Sequence, residues 1–141
     1  MKVTPSSIYC DDEIEYGPYN SIQYDNQTLF HIKSEPNSWV CYELKNHQIV
    51  LTYYAIRSCR FGTHAPINFK IEIYNDQTNW EEIDIRNRVP FKVGNHETLT
   101  FYVHESQHKE AKFIRLIQTG SNSTGYNQIV LESIEFYGYL K

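Results

Sequence analysis

Apolar and polar residues alternate along several short segments of the chain. In the segment 69–74, every second residue beginning with Phe69 is apolar, and the residues between them are more polar. The segment 113–117 alternates in the same way and places Arg115 on one face with Phe113 and Ile117. Because side chains on a strand point to opposite faces in turn, this pattern predicts antiparallel strands with one face on a core and one in water.

Turn residues separate these segments from others that are equally rich in β-branched and aromatic residues. The further predicted strands are 39–44, 49–58, 99–103, 129–131 and 134–137. The segment 104–112 has residues that favour a helix but lacks an apolar stripe, so we predict a charged loop there. Seven or more short strands in one chain predict an all-β sandwich or jelly roll.

Some side chains in these strands have predictable structural roles. Trp39 and Trp80 stand at strand edges, and we predict that both pack in the core. Tyr53 and Tyr54 are adjacent, so one points inward and the other outward. Arg115 lies between apolar neighbours, where a buried carboxylate or backbone carbonyls are expected to hold it in a structural role.

Length and composition add bounds to this picture. A chain of 141 residues is expected to form one domain, 1–141, with a real core. Its formal charge of −4 argues against nucleic acid as a partner, which usually requires a basic face. The cysteines Cys10, Cys41 and Cys59 are odd in number and widely spaced, so free thiols are favoured over a disulfide framework.

The start of the sequence and its hydropathy favour an intracellular, cytoplasmic setting. Residues 1–7 contain no apolar stretch of the kind that a secretory leader requires. No apolar run approaches the roughly 20 residues of a membrane-spanning helix, so stable membrane insertion is not expected.

No pattern of residues indicates a catalytic centre. The six histidines belong to no nucleophile, zinc-protease or phosphate-loop motif. His104 and His108 are four residues apart, but a third metal ligand is not indicated. We therefore predict a protein that is not an enzyme, with no catalytic residue, cofactor or metal.

Two loops carry the strongest indication of binding. Sugar recognition combines planar hydrogen-bonding side chains with an aromatic face, because hydroxyls line the ring edge and C–H groups its face. The loops 57–66 and 119–128 contain such a set, so the predicted ligand-binding residues are Arg60, Phe61, His64, Asn122, Tyr126 and Asn127. The alternative is that Phe61 and Tyr126 pack against their own loops and only hold the loop shape.

Seven pieces of the sequence, in order, resemble the discoidin family, also called coagulation factor 5/8 type C domains. The family is characterised by an eight-stranded antiparallel jelly-roll β-sandwich of the galactose-binding-domain-like kind. Within it, the chain is most similar to the intracellular, cysteine-poor members, including those linked to BTB domains. The pieces cover nearly the whole chain and are 3–7, 25–28, 38–44, 51–58, 71–76 with Trp80, 114–120 and 133–138.

The resemblance also implies where ligands bind. It places the loops 57–66 and 119–128 at one end of the jelly roll, together with the segment 16–31. Calcium-holding members resemble this chain at Asp25 and Thr28, but they have a glutamate where this sequence has Ser133. Calcium requires six to eight oxygen ligands with enough carboxylate charge, so no calcium is expected near Asp25.

Family ligands include glycans, phospholipid head groups and proteins. One apolar tip residue, Phe61, would give only marginal affinity for a bilayer. We therefore predict a non-catalytic module that recognises a protein partner through its end loops within an intracellular assembly or adaptor. The alternative is a lectin-like module that binds carbohydrate with the same loops.

Overall fold

A computed structural model describes residues 1–7, 17–23, 30–59, 63–75, 79–92 and 96–141. Within them, two short 3₁₀ helices span Pro18–Ile22 and Glu105–Gln107. Eight strands have four or more residues and three have only two, which agrees with the predicted all-β class and its eight principal strands. The strands are β1 (Lys2–Pro5), β2 (Phe30–His31), β3 (Trp39–Glu43), β4 (Ile49–Arg57), β5 (Phe69–Tyr74), β6 (Glu81–Arg86), β7 (Thr98–Tyr102), β8 (Glu110–Ala111), β9 (Phe113–Gln118), β10 (Val130–Leu131) and β11 (Ser133–Leu140).

The strands form two principal sheets in which every pairing is antiparallel. One sheet has five strands in the order β1-β3-β9-β5-β6. The other has the order β11-β4-β7, with β8 also paired to β4. The short strands β10 and β2 form a separate pair. Strands that are adjacent in space are often distant in sequence, which is typical of a jelly roll.

The core lies between the two principal sheets and is built by the predicted alternation. Phe69, Ile71 and Ile73 of β5 are all buried, as the pattern in this strand predicted. Tyr54 of β4 is buried while its neighbour Tyr53 is half-buried on the outer face. The Tyr54 ring meets the Phe69 ring at a centroid distance of 6.3 Å, so aromatic contacts join one sheet to the other.

A polar brace connects the same two sheets at one edge. The Tyr54 hydroxyl donates to Oδ2 of Asp84 on β6 at 2.5 Å. Arg86 donates to the same oxygen at 2.9 Å and also to the backbone carbonyl of Tyr102 on β7 at 2.9 Å. Burial and the hydrogen bond to Asp84 raise the pKa of Tyr54 far above its ordinary value. The hydroxyl therefore stays protonated and acts as the donor.

The outer face of the five-stranded sheet is held by charge pairs. Arg115 donates through Nε to the buried carboxylate of Glu72 at 2.7 Å, which confirms the structural role predicted for this arginine. Lys70 reaches the other Glu72 oxygen at 3.1 Å. The Trp80 ring lies 4.0 Å from the Arg115 guanidinium, a close cation–π contact.

The core position predicted for both tryptophans is wrong. Trp80 packs on the outer face against Arg115 and the Phe113 ring, and it is only half-buried. Trp39 is half-buried as well, because its neighbour Val40 takes the inward position on β3. A large aromatic ring is also stable at the surface when it packs on a guanidinium group. Aromatic character alone therefore does not show that a side chain lies in the core.

The segment 104–112 is a loop with local order rather than a regular helix. One 3₁₀ turn, Glu105–Gln107, begins where the ring of His104 accepts a hydrogen bond from the backbone N–H of Ser106. Strand β8 follows it and pairs with β4. The predicted loop is therefore confirmed for residues 104–109, whereas Glu110 and Ala111 form a strand that was not predicted.

The pairing of β11 with β4 is irregular at one point. The register with β4 shifts between Tyr137 and Gly138. A Cβ atom on Gly138 would lie 1.9 Å from the carbonyl oxygen of Val50, so only glycine fits against the neighbouring backbone there.

Two further findings concern the described residues alone. Cys41 and Cys59 are free thiols, whereas Cys10 lies outside the residues that the structure describes. No helix found in the described ranges has the length and apolar character needed to cross a membrane.

Candidate functional site

Two loops meet at one end of the sandwich and are joined by hydrogen bonds. The backbone N–H of His64 donates to Oγ1 of Thr124 at 2.9 Å. Ala65 donates to Oγ of Ser123 at 2.9 Å, and the Ser123 N–H returns a bond to the Ala65 carbonyl at 3.0 Å. The segments that contain His64 and Tyr126 are therefore neighbours, as the family resemblance implied.

Asn122 organises the loop that follows β9. Its side chain is buried, and Oδ1 accepts hydrogen bonds from the backbone N–H groups of Thr124 at 3.0 Å and Tyr126 at 3.1 Å. Its amide nitrogen donates to the carbonyl of Gln128 at 3.1 Å. An asparagine that bonds nearby backbone groups fixes a turn, so the structure gives Asn122 a structural role. Its predicted contact with a ligand stays a prediction.

The rings of His64 and Tyr126 stack at the surface of this end. Their centroids are 5.8 Å apart and their planes differ by 24°. Tyr126 is 53% exposed, so much of its ring remains open to solvent. The backbone is left-handed at or beside both rings: φ is +56° at His64 and +94° at Gly125, which precedes Tyr126. Left-handed backbone is costly for a histidine, and the bond to Thr124 helps to hold it.

His31 lies close to this pair and was not predicted from the sequence. Burial lowers the pKa of His31, a hydrogen bond to Gln128 raises it, and the nearby charge of His64 lowers it. The net direction is downward, so His31 favours the neutral form. Its place depends on the pairing of the two-residue strands β2 and β10, and such short strands leave no recognisable local pattern.

Two further contacts fix the backbone of Tyr126 and Asn127. Gln118, the last residue of β9 and buried, donates through its amide to the Tyr126 carbonyl at 3.1 Å. The backbone N–H of Asn127 donates to Oγ of Ser34 at 3.1 Å, which ties the loop to the segment after β2. Gln118 was also missed, because its side chain continues a strand whose pattern otherwise indicates only core packing.

The remaining predicted site residues are not all within the described chain. Arg60 and Phe61 lie outside the described residues, so their binding roles stay predictions. On either side of them, the Cys59 thiol donates to the carbonyl of Thr63 at 3.0 Å. Asp25 and Thr28, where calcium was considered, are outside the described residues as well.

The described side chains of this site are polar and bear no carboxylate, lysine or arginine. In the ranges that the structure describes, no three or more His, Cys, Asp or Glu side chains are grouped to hold a metal. The described side chains at the site are instead hydroxyls, amides and imidazoles around an exposed ring. Such a set can stack against an apolar ring face and form hydrogen bonds with its edge.

Sequence comparisons give no relative for this chain. No protein-family model matches the sequence, and a search of curated proteins gives no significant match.

Solved structures, by contrast, share its fold at low sequence identity. The module CBM32-5 from Clostridium perfringens, solved in complex with GalNAc-β-1,3-galactose, has a TM-score of 0.77 and 14% identity, over 97% of this chain and 94% of that one. The F5/8 type C domain of a Bacteroides fragilis protein has a TM-score of 0.77 and 15% identity, over 97% and 90%. A fucolectin from striped bass (Morone saxatilis) serum has a TM-score of 0.69 and 20% identity, over 98% of this chain and 46% of that one.

These likenesses define the fold class. The chain has the antiparallel jelly-roll fold of F5/8 type C and CBM32 modules, as the resemblance implied.

Proposed function

We propose that the protein is a non-catalytic carbohydrate-binding module, and that its ligand contacts the end formed by His64 and Tyr126. The main observation behind this proposal is the stacking of the His64 and Tyr126 rings, whose two loops are joined by hydrogen bonds. Solved structures with this fold include a module in complex with a disaccharide and a fucolectin, which supports the same class of ligand. This is the alternative of the two functions predicted from the sequence.

The ring pair suits a sugar for a physical reason. His64 covers part of one Tyr126 face, so the tyrosine is held in place before a ligand arrives. Preorganised contacts reduce the entropy that binding must offset. The exposed part of the Tyr126 ring then offers an apolar surface to sugar C–H groups.

Polar groups beside the ring supply the hydrogen bonds. Asn127 follows Tyr126 directly, and the exposed Thr124 precedes it by two residues. An amide donates and accepts at once, and so does a hydroxyl, which matches the mixed character of sugar hydroxyls. No charged side chain takes part in this described set, from which we propose a neutral glycan; the predicted contact residue Arg60 lies outside the described residues.

A glycan array with the purified protein, with and without calcium, tests the proposal. We expect binding to a restricted set of neutral glycans, and loss of that binding in Tyr126→Ala and His64→Ala. Calcium dependence would indicate a metal near Asp25 against our expectation.

The matched control is Tyr139→Ala, since Tyr139 is a similarly exposed tyrosine on β11. It should leave the array unchanged. A blank array in both conditions, or binding that survives both loop substitutions, would contradict the proposal.

The protein partner, the intracellular setting and the likeness to BTB-linked members all stay predictions from the sequence. Capture experiments with wild type and the His64→Ala/Tyr126→Ala double variant test this second function. Identical partner sets would contradict a protein interface at these loops.

A further inference from the structure

A second concave surface lies on the outer face of the sheet β11-β4-β7. Directly opposite residues in antiparallel strands share a face, so the register gives three rows across the sheet. The first row is all tyrosine, with Tyr53 between Tyr102 and Tyr137. The middle row has the small residue Ala55 between Thr100 and Glu135.

The third row completes the surface, with Arg57 between Thr98 and Ser133. Because the centre of the middle row carries only a methyl group, the sheet has a depression of about 250 Å³ above Ala55. It is below the ~300–1,000 Å³ of drug-sized pockets, which suits a single sugar unit.

Two members of the tyrosine row, Tyr53 and Tyr137, line one side of this depression. The Tyr53 and Tyr137 rings stack with centroids 4.6 Å apart and planes within 9°. Tyr102 packs against the other side of Tyr53 at 5.6 Å. Three rings that support one another stand as a stiff aromatic wall, although Tyr102 is 71% exposed.

The rest of the lining is dense in hydrogen-bonding groups. Thr98, Thr100 and Ser133 contribute hydroxyls. Glu135 contributes a carboxylate that accepts a hydrogen bond from the Tyr137 hydroxyl. An ionised carboxylate offers about four lone-pair positions, so this bond leaves further acceptor capacity.

The lining chemistry selects one class of occupant. Among the described residues that line the depression, Ala55 alone has neither a hydroxyl nor a carboxylate, and no leucine, isoleucine, valine or methionine is present. Tyrosine is common in protein interfaces too, but the centre of such an interface is depleted of charged residues, whereas this lining includes Glu135. The Glu135 carboxylate in the lining disfavours phosphate and other anions. Arg57, at the centre of the third row, is not among the described residues that line the depression.

We infer that this groove is a second carbohydrate site, which takes a neutral sugar unit separately from the end loops. Hydroxyls on the ligand bond to the threonines and Glu135, while its C–H groups contact the rings of Tyr53 and Tyr137. The groove is formed by residues of β4, β7 and β11, so sugar binding there does not require His64 or Tyr126.

Amide chemical shifts in a ¹H–¹⁵N titration test the two surfaces at once. The probes are galactose, fucose and GalNAc-β-1,3-galactose, each added up to about 10 mM to detect a Kd of about 1 mM. We expect saturable shifts at residues 55, 98, 100 and 135 with at least one probe.

Ala55→Tyr fills the depression and should weaken the groove response at least about tenfold, while tyrosine is well suited to an exposed strand position. If this variant does not fold, Glu135→Gln keeps the shape and removes the charge, and it should weaken the response too. Tyr139→Ala, outside the groove on the same strand, is the control and should behave as wild type.

The outcomes separate this inference from the proposed function. Shifts confined to the end loops would overturn the groove and support the loop site. Groove shifts that persist in Tyr126→Ala support the groove by itself. Shifts at the groove that change on dilution without sugar would indicate self-association and overturn the inference. No groove shift with any of the three probes would overturn the inference, whereas the loop site is decided by the glycan array.

Discussion

The outer faces of the two sheets satisfy their polar groups in different ways. On the five-stranded sheet, Glu72 binds both Arg115 and Lys70, and Trp80 covers the arginine. On the facing sheet, tyrosines and hydroxyls surround a depression above Ala55. The charged groups of the first surface pair with one another, whereas on the second several hydroxyl groups line an open depression. The number of charged residues on a sheet face therefore does not indicate how many polar groups on that face are open to solvent.

We expect the greatest loss of stability from a substitution that forces β11 away from β4. Gly138→Ala places a methyl group against the Val50 carbonyl, so β11 must move away from β4. We expect a loss of about 3 kcal/mol in the free energy of unfolding, the upper end of ordinary overpacking costs. Urea denaturation measures it. A loss below about 0.5 kcal/mol, typical of neutral surface changes, would show that the strand adjusts freely.

The second effect tests whether the charged face is held by its buried carboxylate. Glu72→Ala removes the partner of Arg115 and should cost about 2 kcal/mol, as for hydrogen bonds to charged groups. Glu82→Ala is the control, because this exposed carboxylate pairs with Lys70 at the surface and should cost within about 0.5 kcal/mol. Equal losses in urea denaturation would contradict the distinction.

A smaller effect concerns the loop end and depends on pH. The pKa of His31 is lowered in the folded protein, so the unfolded chain binds this proton more readily. Its contribution to stability is therefore fully present above the unfolded pKa of about 6.5 and is lost as pH falls through the lower folded value. His31→Gln should reduce the decline in stability on acidification.

Unfolding free energies measured across this pH window check the direction. His47→Gln, which replaces an exposed histidine, is the control. A decline that is unchanged in His31→Gln would contradict the expected role of burial at this histidine.

The smallest effect is expected at the tyrosine wall. Tyr102→Ser removes a ring that is largely exposed, so the unfolding free energy should change by about 0.5 kcal/mol or less. Thermal or urea denaturation measures this. A much larger loss would mean that the wall is a structural element of the sheet, and the contrast between the two faces would weaken.

Strand positions were predictable where one face is buried and the other wet. The alternation in β5 and in the first part of β9 follows directly from the two-residue period of strands. Trp80 was misplaced because its partner, Arg115, is distant in sequence and no local pattern joins them. Pairing between distant segments decides such contacts.

The candidate sites show the same limit. His64 and Tyr126 could be proposed from loop composition, and the resemblance brought their loops together. His31 could not, since it depends on the pairing of β2 with β10. The groove could not either, because its depth comes from one alanine aligned between residues of β7 and β11.

Asn122 fixes the backbone shape of its loop without contacting the side chains that the loop exposes. Its side chain holds the backbone at residues 124, 126 and 128, and none of these three bonds uses a side chain of the displayed residues. Residues 126 and 127 are therefore suitable positions for randomisation in a library, with Asn122 kept constant. The loop is in this respect a natural display scaffold, on which new specificities can be selected without rebuilding the fold.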